Sequence, residues 1–300
     1  MDPQSPPSRT TVTLAHLSDL HLRRGHPERE NTLQRALALP EVEAADLVVV
    51  TGDVTESGWT YELELAEAAL KDVAAQGRLL VVPGNHDASL RGLNAGTLLN
   101  RLTGAQREVS GQFSAWSVQG GTAEPIGPRG SPWPVRRDLC DGRCVVYGLD
   151  STRASFGDLL ARGGCGRAQL DALDEDLEGL RQDQRVVLAL HHHVTHQASG
   201  RDTFDFDPAL LLMDKAEVQT LLRRHRVELV LHGHRHRFSH RLFRDTRVIG
   251  AASTTLGCGR RGDRFVGILE MDLDSGEVGA RLCFLEGGCE VVLLEEREPE

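Results

Sequence analysis

Five short runs of apolar residues punctuate the chain, at Val12–Leu17, Asp46–Val50, Arg78–Val82, Arg185–Leu190 and Val227–Leu231. Continuous runs of this size, rich in Val, Leu and Ile, suit strands covered on both faces. Between them the period lengthens. "YELELAEAALKDVAAQ" places Ala66, Ala69, Leu70 and Val73 on one face, with Gly77 positioned to stop it. "AQLDALDEDLEGL" repeats Leu170, Leu173, Leu177 and Leu180 at helical spacing. "DKAEVQTLLRRH" opens with Asp214 three residues before Glu217 and turns Val218, Leu221 and Leu222 inward. Strands alternating with helices predict an α/β domain around a largely parallel sheet.

The rest of the chain follows other patterns. "VVYGLDST" (Val145–Thr152) reads as a further strand, whereas "SGQFSAWSVQGGTAEPIGPRGSPWPVRRDLC" (110–140) has little helical period and predicts loops and hairpins. "RFVGILEMDLD", "GEVGARLCFL" and "CEVVLLEE", separated by "SG" and "EGG", predict antiparallel strands joined by hairpins. The expected plan is a disordered tail over 1–10 and one domain over 11–295. That domain carries a loop-rich insertion around 104–144 and C-terminal β-hairpins, and the chain ends in a frayed acidic "EEREPE".

Polar chemistry gathers where the five strands end. The first leads into "SDLHL" with Asp19 and His21, and the second into "TGDV" with Asp53. The third leads into "PGNHD" with Asn85, His86 and Asp87, the fourth into His191–His193, and the fifth into "HGHRH" with His232, His234 and His236. Ligands of open α/β sheets sit at the carboxyl ends of the strands. Gly52, Gly84 and Gly233 each precede a polar residue at such a turn, where a missing side chain permits close backbone approach. Singly, each motif has an ordinary explanation: Asp53 starting a tight turn, Asn85 in a left-handed turn, an imidazole in solvent. Five together at the same end of successive strands point to bound metal. His192, His193 and His232 remain open as near neighbours of ligands. His16 lies in a strand body and reads as structural, and His26, His196, His225 and His240 sit in polar surroundings without a metal role.

Composition narrows the function classes. The chain has 300 residues, with 34 Lys and Arg against 44 Asp and Glu, a formal net charge of −10. That balance disfavours coating nucleic acid by bulk electrostatics. No apolar run approaches a membrane span, and the first residues lack the basic start and apolar stretch of a secretory signal, so cytoplasmic residence is expected. Cys140 and Cys144 flank "DGR", and Cys283 and Cys289 flank "FLEGG". Both pairs sit where they can face each other across hairpins; thiols in a reducing compartment are the expectation.

In order and type, "SDLH", "TGD", "PGNHD", "HH" and "HGHRH" resemble the signature of calcineurin-like metallophosphoesterases, from Asp19 to His236. "HLSDLHL", "VVTGDVTESG" and "VVPGNHD" bring the likeness closest to the bacterial cyclic-nucleotide and glycerophosphodiester phosphodiesterases. The resemblance implies a two-sheet β-sandwich flanked by helices. It implies two divalent transition-metal ions (Mn, Fe, Zn or Co), one held by Asp19, His21, Asp53 and His236, the other by Asp53, Asn85, His191 and His234. Asp53 would bridge, and His191 is preferred to His192 because it directly follows its strand. It further implies phosphoester hydrolysis by in-line attack of a metal-bridging hydroxide, with His86 near the leaving oxygen and Asp87 either orienting His86 or capping the next segment. A small-molecule phosphodiester is the expected substrate. The rivals are a phosphomonoesterase or phosphoprotein phosphatase, a repair-type nuclease, and a non-catalytic metal scaffold.

Overall fold

The structure is a computed structural model that describes residues 10–88, 105–118, 123–128, 131–152, 162–195, 211–258, 262–292 and 294. The tail over 1–9, His196 and the final "EEREPE" lie outside the described residues.

Two mixed sheets pack face to face. In the first, β1 (Thr11–Leu17), β2 (Leu47–Thr51) and β3 (Leu79–Val82) run parallel. In the second, β6 (Cys144–Gly148), β7 (Arg185–Ala189), β8 (Leu229–His232) and β10 (Thr246–Gly250) run parallel. Its edges are antiparallel: β4 (Ala123–Pro125) and β5 (Val135–Leu139) on one side, β9 (Ser239–Phe243) on the other. The five apolar runs are therefore divided between two sheets instead of lying in one largely parallel sheet.

The C-terminal strands β11 (Phe265–Asp272), β12 (Val278–Phe284) and β13 (Cys289–Val292) pair antiparallel in chain order, and β11 pairs antiparallel with β1, so they extend the first sheet. Periodicity predicts each hairpin but not the edge it joins, because the edge is set by which flank of β1 the other strands leave open.

Alternation along the strands of the second sheet fixes two cores. Val146, Val187, Ala189, Leu229, Leu231 and Ile249 face the first sheet. Val145, Tyr147, Val186, Leu188, Val230 and Val248 face the other way. That outer face is covered by α6 (Arg167–Glu178) and α7 (Lys215–Arg224) through Leu170, Leu173, Leu177, Val218, Leu221 and Leu222. On the first sheet, α1 (Pro27–Leu37), the short α2 (Pro40–Glu43) and α3 (Thr60–Ala75) bring Leu33, Ala36, Val42, Ala66 and Leu70 to the core. Burying each Val or Leu completely contributes about 1.5–3 kcal/mol.

Part of the stretch read as loops is helical: α5 (Ala105–Val118) enters residues 110–140, and ahead of it α4 (Asn85–Ala88) forms one turn after β3. Phe113, Trp116 and Ser117 of α5 are buried, and the Ser117 hydroxyl donates to the Val81 carbonyl of β3 (2.9 Å). Its Gly and Ser residues give weak helix propensity, so tertiary packing holds it. Arg137 of β5 is fully buried beside it, donating to the carbonyls of Leu79 (3.2 Å), Gly77 and Ser117.

Candidate metal centre

The loops after β1, β2, β3, β7 and β8 meet at one rim where the two sheets close. Asp19, His21, Asp53, Asn85, His191 and His234 are all buried there, with His236 half-buried. Their backbones are unusual. Asp19 (φ 52°), His21 (46°), Asp53 (49°), His234 (72°) and His236 (51°) all occupy the left-handed region. Non-glycine residues rarely do so, at a cost of about 1–3 kcal/mol each. The surrounding structure must therefore over-determine these turns, and the hydrogen bonds show how.

Asp19 N–H donates to the Gly52 carbonyl (3.0 Å) and His21 N–H to the Asp53 carbonyl (2.9 Å), clamping the first loop to the second. From beneath, the segment after β10 holds the first loop again. The Ser253 hydroxyl donates to the Asp19 carbonyl (2.6 Å), Thr255 to the Leu20 carbonyl (2.6 Å), and Thr254 N–H to the Ser18 carbonyl (3.0 Å). The glycines permit the approach. A Cβ on Gly84 would lie 2.2 Å from the Asp53 nitrogen, and one on Gly233 1.9 Å from Ser18 Oγ.

Three groups of donor atoms gather at the rim, each with all atoms within 4.8 Å of one another: Asp19, His21, Asp53 and His236; Asp53, His191 and His234; and His21, Glu56 and His86. Asp53 belongs to the first two. In the first, His21 Nε2 and His236 Nε2 lie 3.0 Å apart, with His236 Nε2 3.3 Å from Asp19 Oδ1. In the second, His191 Nε2 lies 3.1 Å from His234 Nδ1, 3.4 Å from Asp53 Oδ2 and 3.0 Å from Asn85 Oδ1. Imidazole nitrogens facing one another around carboxylate oxygens satisfy few of their own hydrogen bonds, but they fit a divalent cation. Imidazole, carboxylate and amide donors suit Mn, Fe, Zn or Co.

The second imidazole of the triplet has a different post. His192 Nδ1 meets Ser151 Oγ (2.9 Å), which also accepts the His191 and His192 N–H groups (3.2 Å each). His191 itself is oriented by Nδ1–H donating to the Thr51 carbonyl (2.7 Å), leaving Nε2 for the site. Of the remaining open positions, His232 Nδ1 faces the Gly233 carbonyl (3.0 Å) and His193 joins neither donor group.

Charge follows this layout. Burial opposes ionisation of Asp53, but His191 and the other imidazoles hold its carboxyl well below the ordinary range. Burial likewise opposes a charged His191, and the Asp53 carboxylate outweighs it, lifting His191 to about 9. His234, chiefly through burial and then through His192 and His191, is pushed well below the ordinary imidazole value.

His86 and Asp87 part company. His86 N–H donates to Asp53 Oδ1 (2.8 Å), its Nδ1 donates to the Glu56 carbonyl (2.6 Å), and Nε2 lies 3.9 Å from Asp53 Oδ2. Asp87 does not orient that ring. Its carboxylate accepts from Val54 N–H (3.2 Å), Thr55 N–H (2.8 Å), Thr55 Oγ1 (2.7 Å) and Gly84 N–H (2.8 Å), tying the second loop to the third. Burial, and then the Asp53 charge, raise Asp87 to about 6 despite those bonds.

Sequence reasoning passed over Glu56 and Arg29. Arg29 Nη1 donates to both Glu56 Oε2 (2.6 Å) and the His21 carbonyl (2.5 Å), and Glu56 Oε2 lies 3.7 Å from His21 Nδ1. The signal available was the charged Glu56 within "TGDVTESG", three residues after Asp53. Arg23 and Arg24 are exposed and His26 pairs with Glu28 (2.8 Å).

A family model described as calcineurin-like phosphoesterase matches residues 12–238, and the chain belongs to that family. No curated protein sequence matches the chain. Among solved structures it is similar to GAP50, the anchor in the inner membrane complex of Plasmodium (11% identity, 97% of this chain and 91% of that one, TM-score 0.54). It is also similar to the Thermus thermophilus sulfate thiohydrolase SoxB (17% identity, 94% and 58% covered, TM-score 0.52). A third is the phosphopantetheinyl hydrolase of Mycobacterium tuberculosis (16% identity, 81% and 90% covered, TM-score 0.46). Family membership makes the chain a metal-dependent phosphoesterase; among the described residues, no helix is long and apolar enough to cross a membrane.

Proposed function

We propose that the protein hydrolyses phosphodiesters of small molecules in the cytoplasm. In this reading Asp19, His21, Asp53 and His236 hold one divalent ion, and Asp53, Asn85, His191 and His234 hold a second. Such ions, when bound, supply Lewis-acid polarisation of the phosphoryl group and a deprotonated water. The chain supplies their placement: seven side chains, five of them on left-handed turns that hydrogen bonds keep in register. His86 is the proton-handling residue. With Nδ1–H committed to the Glu56 carbonyl, only Nε2 faces the site, so it can stand at the leaving oxygen as acceptor when neutral and donor when protonated. Asp87 acts by position, holding the loops that carry Asp53 and Asn85.

The preference for diesters rests on the likeness of "HLSDLHL", "VVTGDVTESG" and "VVPGNHD" to the bacterial cyclic-nucleotide and glycerophosphodiester phosphodiesterases. Glu56 adds no net charge beside the donor groups, because Arg29 Nη1 pairs with its carboxylate at 2.6 Å. The fold alone does not decide catalysis, since one neighbour of similar fold is described as an anchor.

The test is turnover, with Mn, of a bis-aryl phosphodiester, an aryl phosphomonoester, cyclic AMP and glycerophosphocholine by one preparation. The diesters are expected to be hydrolysed faster. A faster monoester overturns the preference, and turnover of none favours a scaffold.

A further inference from the structure

At the edge of the first sheet away from β2 and β3, the β12–β13 hairpin meets α2. Cys283 of β12 stands directly opposite Cys289 of β13, and the two are joined by a disulfide. Glu41 of α2 places Oε1 3.4 Å from Cys289 Sγ. A disulfide sulfur has no proton to give, so this carboxylate gains no hydrogen bond from the joined pair.

We propose that in the reduced chain Cys283, Cys289 and Glu41 form a surface site for a thiophilic divalent ion of the zinc type, separate from the centre between the sheets. The spacing fits. Zinc bonds of about 2.3 Å to sulfur and about 2.0–2.2 Å to oxygen, at a tetrahedral angle, put sulfur and oxygen about 3.5 Å apart. One donor atom from each of the three residues already lies within 4.8 Å of the others. The frame is also fixed independently of the cysteines. Arg35 of α1 donates to the Leu285 carbonyl (2.8 Å) and pairs with Glu286 (3.4 Å), holding the hairpin tip against the helices. Cys283 is buried and Cys289 exposed, so the ion has an anchored side and an open side where water completes four-coordination. Formation requires two electrons from a dithiol or phosphine reductant to open the disulfide. Binding then forms two metal–sulfur bonds and one metal–oxygen bond and releases the protons of both thiols. The ion would pin the exposed edge strand β13 to α2.

Cobalt(II) is the probe. The strand-end donors are all nitrogen and oxygen, so sulfur-to-cobalt charge transfer in the near ultraviolet reports this site and not that one. The full chain, reduced with a phosphine, freed of metal by a chelator and titrated with cobalt, is expected to develop the band to the intensity of one sulfur-bound cobalt per chain, whatever further cobalt the strand-end donors take up. Cys289→Ser, at an exposed position, should lose the band while phosphoester turnover stays as in the parent. Glu41→Gln should raise the cobalt needed for half-saturation by about tenfold. No band in the reduced parent overturns the proposal, as does a band that survives in Cys289→Ser, which would assign it to other thiols. Neither result touches the strand-end centre, whose failure would appear as lost turnover with the band intact.

Discussion

The two sheets contribute different chemistry to one rim. The first supplies both aspartates, the asparagine and one imidazole, on loops locked to one another: Asp19 to Gly52, His21 to Asp53, and Asp87 across Val54, Thr55 and Gly84. The second supplies only imidazoles: His191 reaches across to the Asn85 amide and His236 to the Asp19 carboxylate, while His234 is tied to Asp19 through its backbone N–H. Neither half completes either of the two groups that share Asp53, since both of these draw on both sheets. The difference shows where failure begins: the first sheet's loops are a rigid carboxylate frame, and the second sheet's imidazoles close it only while the sheets stay packed.

The largest effect is expected where the halves share a residue. Asp53→Asn removes the single charge common to both groups and should abolish stoichiometric binding of both ions. Turnover should fall by at least about 10³-fold, corresponding to several kcal/mol. Elemental analysis beside kcat/KM checks it. Asn85→Ala or His191→Ala, by contrast, should lower occupancy of one ion only. Loss of both ions from either variant would erase the distinction between a shared and a one-sided ligand.

Next comes His86→Ala, which removes a proton carrier but none of the donors in the two groups that share Asp53. Metal content should be unchanged and kcat lower by about 10²–10⁴-fold. If both ions leave with the ring, His86 belongs to the cage, and its bond to the Glu56 carbonyl is structural only.

Asp87→Asn tests the frame itself. The amide can accept at one position only and presents its NH₂ to backbone N–H groups, leaving buried donors unpaired at about 1–3 kcal/mol. Urea unfolding should show that loss, and added Mn should recover part of the activity because binding opposes the loosening. Unaltered stability with lost activity would return Asp87 to the chemistry.

Much of this was legible in the chain, for a physical reason. Candidate ligands of such a site sit at strand ends, so apolar runs predict their places; Asp19, Asp53, Asn85 and the histidines of "HGHRH" stood out by position, and their sharing between two ions came from the resemblance. His191 was preferred to His192 because it directly follows its strand; the structure turns His191 Nε2 toward Asn85 and His234, and His192 Nδ1 toward Ser151. The left-handed backbone at five site residues gave no signal, since Asp and His mark such turns less plainly than Gly. Ser253, Thr254 and Thr255 were invisible for another reason: their hydroxyl and amide bonds span more than 230 positions of sequence. The helix α5 was missed because its support comes from β3 and Arg137, not from its own period.

The smallest effect concerns His16, in the body of β1 beneath the rim, where the two halves touch. Its Nε2 meets Thr51 Oγ1 (3.0 Å), and burial first, then the nearby His232, push it down to about 3. Folded His16 therefore stays neutral at pH values where the unfolded chain, near the ordinary value of 6.5, takes up a proton. The unfolded state binds more protons below pH 6.5, so stability rises with pH in that window. This contribution is complete above 6.5 and is lost as pH falls from there toward about 3. His16→Gln keeps a polar partner for Thr51 but cannot titrate. Between pH 7 and 5 the parent should lose about 2 kcal/mol more than this variant, read from urea midpoints at both values. Equal slopes would mean that His16 is protonated where it lies, and that the ground under the first sheet's carboxylates is charged, not neutral.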